Sequence, residues 1–205
     1  MVGPILQGNQ GLAEVKKVLS ITKDLGVRVS KTCGFHVHIA SRSWGDDLNN
    51  LKAIVKNFIK YEAAFDLIMP PSRRENKYCQ SNNNSPMLKD LGPGQKFQLI
   101  EGCQSKNEIR SVVQSERYYK LNILQEDDKP TIEFRQHSAT YEWTKACRWI
   151  KILGLFVSHS IEDPPKLNFN SDKDAAYKFE KLFKNIIKDT NLKAWAEKRK
   201  TKFSR

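Results

Sequence analysis

The chain has 205 residues, 39% of them hydrophobic and 10% aromatic, which suits one cored domain or a domain with an appendage. No apolar run reaches the roughly 20 residues of a membrane helix, and the start Met1-Val2-Gly3-Pro4-Ile5-Leu6 lacks the basic and apolar regions of a secretory signal. The net charge of +12 invites an anionic partner, but Lys193, Lys198, Arg199, Lys200, Lys202 and Arg205 concentrate much of it at the end, and Lys52, Lys56 and Lys60 read as a solvated helical face.

Four scattered cysteines, Cys33, Cys79, Cys103 and Cys147, contain no CxxC pair. They indicate neither a zinc ribbon nor a disulfide framework, so a reduced, cytoplasmic protein is the expectation.

In chain order, Gln10 to Leu25 reads as an amphipathic helix, with Leu12, Val15, Val18, Leu19 and Ile21 near helical spacing and Gly26 as its stop. A strand follows over about 33–41. Asp46 or Asp47 can cap a long helix whose face is Leu51, Ile54, Val55, Phe58, Tyr61, Phe65 and Ile68, ended by Pro70-Pro71. Residues 71–95 are polar and irregular, with Gly92-Pro93-Gly94 marking a turn. Strand character returns from Arg117 to Leu124, and the acidic turn from Gln125 to Pro130 leads into a strand from Thr131, which predicts a hairpin. Helices are expected from about Tyr141 to Ser160 and, after a linker containing Pro164-Pro165, over the positions Ala175, Phe179, Leu182, Phe183, Ile186 and Ile187. The fold class is α+β, with a main domain over 1–160 and a linker and basic helical segment over 161–205.

The chemistry sits on two strands. In Cys33-Gly34-Phe35-His36-Val37-His38-Ile39, the side chains of Phe35, Val37 and Ile39 share one face and His36 and His38 the other. In Thr131-Ile132-Glu133-Phe134-Arg135-Gln136-His137, Ile132 and Phe134 oppose Thr131, Glu133, Arg135 and His137. Imidazoles, a carboxylate and a guanidinium on the outer faces are groups that bind metals and phosphates, so phosphoryl handling is indicated. Glu133 and His36 are candidate ligands for Mg²⁺ or Mn²⁺. Arg135 offers a planar fork for an oxyanion, and His38, Arg73 and Arg74 can neutralise further phosphate charge. A zinc site of His36, His38 and His137 is a competing expectation, without an HExxH helix to support it. No Walker, GxGxxG or GxSxG motif occurs.

Taken together, Cys-Gly-Phe-His-Val-His (33–38), Pro-Pro-Ser-Arg-Arg-Glu-Asn (70–76), Arg-Tyr-Tyr-Lys-Leu-Asn (117–122) and Thr-Ile-Glu-Phe-Arg-Gln-His (131–137) resemble the amidoligase family, over roughly residues 1–160. That family belongs to the carboxylate–amine ligase superfamily of glutamine synthetase. The resemblance implies a curved antiparallel sheet backed by helices, whose concave face holds ATP and Mg²⁺. It implies a reaction in which ATP phosphorylates a small-molecule or peptide carboxylate and an amine attacks the acyl phosphate. Carried over, His36 and Glu133 would be metal ligands. His38, Arg74 and Asn122 would meet the nucleotide, and Arg135 with Arg73 would act on the transferred phosphoryl group.

One departure stands out. The family's opening strand with paired glutamates has no counterpart here: the first acidic residue is Glu14, and Gly3 stands where the family has serine. The expectation is a fragment, a degenerate relative, or a chain completed by a partner, with ligase activity impaired or absent and one sheet edge unpaired. A basic nucleic-acid-binding or scaffold protein on a retired ligase fold is the alternative function. Oligomers are expected to be compatible with either; a membrane partner is not.

Overall fold

Helix α2, Leu48–Asp66, is the element around which the rest is built. The structure is a computed structural model and describes residues 3–30, 32–124, 131–165 and 174–204. The carboxylate of Asp47, not Asp46, caps α2 by accepting from the backbone N–H groups of Asn49 (2.8 Å) and Asn50 (3.0 Å). Its predicted apolar face is buried throughout. Phe58 meets Phe134 at 5.9 Å and Phe156 at 6.4 Å between ring centroids, and Phe65 meets Trp149 edge-on at 5.8 Å. Each such buried side chain contributes about 2 kcal/mol of transfer free energy.

The lysine face of α2 is not solvated as expected. Lys52 and Lys56 are buried under α3, Pro93–Gly102, with Lys52 Nζ donating to the Glu101 carbonyl at 2.7 Å and Lys56 Nζ paired to the Glu101 carboxylate at 2.5 Å. Their long apolar stems cover α2 while the charged heads find oxygen partners. Gly92-Pro93-Gly94 accordingly opens a helix rather than a simple turn. Proline suits the first helical position, and the Gln95 side chain accepts from the Gly92 N–H at 2.9 Å.

Three strands form an open antiparallel sheet: β1, Gly34–Ala40; β2, Leu121–Leu124; and β3, Thr131–Ser138. The order is β1-β3-β2, so β3 is central and the predicted hairpin pairs β2 with β3. The hairpin's turn lies outside the described residues. One sheet face packs on α2 and on α5, Trp143–Glu162. Helix α1, Gly8–Asp24, packs mainly against α5 and leaves Val18 and Ile21 exposed, so its apolar stripe is only partly covered. Helix α4, Lys106–Val113, completes the layer beside α3.

Beyond 174 the chain forms α6, Ala175–Lys181, a π-helical continuation, Leu182–Ile187, and α7, Thr190–Phe203. A left-handed backbone at Lys188, φ 53°, breaks the helical path before α7. Phe179, Leu182, Ile187, Leu192 and Ala196 join the same core as Phe58 and Trp149. The basic end is therefore docked: Arg199 donates to the Ile68 carbonyl at 3.0 Å, and Lys193 pairs with Glu180 at 2.7 Å.

Candidate functional site: a carboxylate gripped on the open sheet face

A bulge in β3 decides which side chains share the polar face. Phe35 pairs with His137, but Val37 pairs with Phe134, so His36 alone spans Arg135 and Gln136. Before the bulge the alternation holds, and Glu133 stands opposite His38 on β1 and Asn122 on β2. After it, the phase of β3 is reversed. His137 lies in the core, fully buried, stacked on Trp149 of α5 at 5.4 Å and edge-on to Phe35 at 5.9 Å. Gln136 donates to Asp66 at 3.0 Å at the end of α2. The three-imidazole zinc set is thereby corrected, because His137 lies on the opposite side of the sheet from His36 and His38.

Glu133 is only 4% exposed and receives four donors. His36 Nδ1 lies 2.8 Å from Oε1, Arg135 Nη1 2.6 Å and His38 Nε2 3.5 Å; the Asn122 amide donates to Oε2 at 2.8 Å. Burial on its own would raise the Glu133 pKa. The hydrogen bonds from His36, His38, Asn122 and Arg135 outweigh it and hold the carboxyl well below the usual carboxylate range, so it is ionised. Asn122 is itself oriented by Gln114, whose side-chain amide donates to it at 2.6 Å and whose oxygen accepts the Ile123 N–H at 2.7 Å. Sequence patterning gave no signal for Gln114. It sits after α4 with no periodic role, and only its burial reveals it.

Three residues expected to meet ligand are engaged within the protein. Arg73 is 2% exposed, and its guanidinium donates to the carbonyls of Gln136 (3.3 Å) and Arg135, the two residues of the bulge. It positions the strand rather than facing the cleft. Arg74 donates to the Met69 carbonyl at 2.9 Å and the Phe203 carbonyl at 3.0 Å, capping α7 as a cation at a helix C-terminus. Asn122 is buried and donates to Glu133. His36, His38, Glu133 and Arg135 do converge as the alternation predicts. Gly34 makes room for them: a Cβ there would come within 2.6 Å of His36 Nε2 and 3.0 Å of Arg73 Nη2.

The described residues do not fit a divalent cation. Both Glu133 oxygens are taken by donors, and Mg²⁺ or Mn²⁺ needs about six mainly oxygen ligands. Among the described residues no group of three or more His, Cys, Asp or Glu side chains is placed to hold a metal ion. The donors instead suit an anion. Arg135 Nε is buried with no hydrogen-bond partner among the described residues, and His38 is exposed at the rim.

Residues 1–156 match the family model described as "Putative amidoligase enzyme". The chain belongs to the amidoligase family. The match contains every residue of the Glu133 cluster and ends within α5. No curated protein and no solved structure matches the chain. Among the described residues, no helix is long and apolar enough to cross a membrane.

Proposed function

We propose that this amidoligase uses ATP to join a small-molecule or peptide carboxylate to an amine through an acyl phosphate, on a glutamine synthetase-like curved sheet. The observation that carries this reading is Glu133, ionised and held by His36, His38, Asn122 and Arg135 on the open face of the central strand. A substrate carboxylate oxygen attacks the γ-phosphorus of ATP, the bond to the β-phosphate oxygen breaks, and ADP leaves. The amine nitrogen then attacks the acyl carbon, phosphate departs, and the amine loses a proton.

Arg135 supplies positive charge towards the transferred phosphoryl group, with His38 beside it at the rim. Glu133 fixes the orientation of both, so little reorganisation is needed when charge develops. His38 is held in place through Nδ1, 3.2 Å from Thr131 Oγ1, and the departing phosphate takes the amine proton. The residues in hand do not fit a metal, and these steps run through none. With no metal in these steps, side chains alone meet the developing phosphoryl charge, and slow turnover is the expectation. The test is ADP release with hydroxylamine as the amine and a panel of amino-acid carboxylates. Hydroxamate formed by wild type and lost in Arg135→Ala supports the proposal; ADP release without hydroxamate for any acid in the panel contradicts it.

The basic scaffold alternative gains little support from the fold. The cations of α7 that would drive it include Arg199, buried against Ile68, and Lys193, already paired with Glu180.

A further inference from the structure

The Glu133 face continues sideways into an aromatic wall. Arg135, paired to Glu133, has its guanidinium carbon 5.8 Å from the ring centroid of Tyr118. Tyr78 meets Tyr118 edge-on at 5.3 Å and is 49% exposed, whereas most aromatic residues among the described ones are buried. A cation lies over one face of each ring: Lys77 Nζ is 4.9 Å from the centre of Tyr78, and the Arg117 guanidinium carbon 5.0 Å from that of Tyr118, with Arg117 donating to the Tyr118 hydroxyl at 3.1 Å.

This wall is built, not fortuitous. The Asn76 side chain accepts from the Tyr78 N–H at 2.8 Å, a bridge pairs Asn76 with Cys79, and Cys79 is fully buried as an anchor. Gln80 N–H then donates to the Tyr118 carbonyl at 2.7 Å, and Lys120 N–H to the Gln80 carbonyl at 2.9 Å. The turn bearing Tyr78 is thus stitched to the segment that carries Tyr118 into β2. An exposed ring held rigid loses little entropy when something stacks on it.

Along the wall the order is carboxylate, guanidinium, half-buried tyrosine, and exposed tyrosine with Lys77 over one face. Charge gives way to flat aromatic surface in the same order as phosphate gives way to base in a nucleotide. Aromatic rings and arginine planes bind any nucleobase through its π face. We propose that Tyr78 and Tyr118, with Arg117, form the subsite for the base of the nucleotide whose phosphates lie towards Arg135. This rests on the ATP-dependent reading above and adds to it a base-recognition surface.

The experiment is calorimetric titration of a non-hydrolysable ATP analogue and, separately, of inorganic tripolyphosphate. Both are run on wild type, Tyr78→Ala and Tyr78→Phe. The subsite predicts that Tyr78→Ala weakens the analogue about tenfold, leaves tripolyphosphate unchanged, and is rescued by Tyr78→Phe. Equal weakening of both ligands, or of neither, overturns it. Wild type binding the analogue no more tightly than tripolyphosphate removes the base subsite but leaves the phosphate face standing. Wild type binding neither ligand overturns the ATP reading and the subsite with it.

Discussion

Arg73 donates to the Gln136 carbonyl at 3.3 Å, across a separation of 63 residues, and by also gripping the Arg135 carbonyl it holds the β3 bulge in shape. That contact determines that Arg135 faces the cleft while Gln136 and His137 face the helices. Arg73→Met would leave two buried carbonyls unpartnered. Loss of a buried, charge-assisted pair of hydrogen bonds costs about 3 kcal/mol. The expected result is a lower urea midpoint with an unchanged slope.

The buried ion cluster behind the bulge makes a second test. Lys120 Nζ lies 3.1 Å from Glu62 and 2.7 Å from Asp66, and both Lys120 and Glu62 are almost wholly buried. Burial, opposed by Lys120, pushes Asp66 up to about 6. With a folded pKa above its unfolded one, Asp66 favours folding at low pH and loses that contribution as pH rises through about 6. Lys120→Met removes the cation from buried Glu62 and half-buried Asp66, at a cost of about 3 kcal/mol near neutrality. Chemical denaturation at pH 8 and pH 5 should show the smaller loss at pH 5, where Asp66 is more readily protonated; equal losses would contradict this.

His137 gives a pH dependence of opposite sign. Burial, with Arg199, Lys145 and Arg73 nearby, brings its pKa down to about 3, and its Nδ1–H donates to the Ser138 carbonyl at 2.7 Å. The unfolded chain takes up this proton below about 6.5, so stability falls as pH drops from there towards about 3. His137→Phe keeps a ring against Trp149 and removes the titration. Thermal melts of the variant should flatten between pH 6.5 and 4 relative to wild type; parallel curves would contradict the assignment.

Gly34 lies under the cluster, and Gly34→Ala places a methyl against His36 and Arg73. The imidazole must move off Glu133, and a destabilisation of about 1–3 kcal/mol from overpacking is expected. The ring nitrogen shifts of His36 by NMR report the displacement directly, and an unmoved His36 would show that the strand absorbs the methyl.

The polar face was legible because β1 and the first half of β3 alternate without interruption. His36, His38, Glu133 and Arg135 therefore meet where period two puts them. His137 was misplaced because a bulge is register information: one extra residue on β3 is set by pairing with β1 and by Arg73, and nothing within Thr131–Ser138 announces it. Arg73 and Arg74 read as loop cations for the same reason. Their carbonyl partners lie 62 and 129 residues away. Lys52 and Lys56 have helical outer-face spacing, but α3 covers that side, and Pro93 passes for a turn former until its helix is seen.

The most direct test of a phosphate-binding Glu133 face is calorimetry of a non-hydrolysable ATP analogue on wild type and Arg135→Ala. Arg135 is partly buried beside Glu133, so its removal takes away the cation aimed at the phosphates and frees the carboxylate to repel them. Binding by wild type with at least about tenfold weakening in the variant is predicted. No binding by wild type, or equal binding by both proteins, would contradict the account.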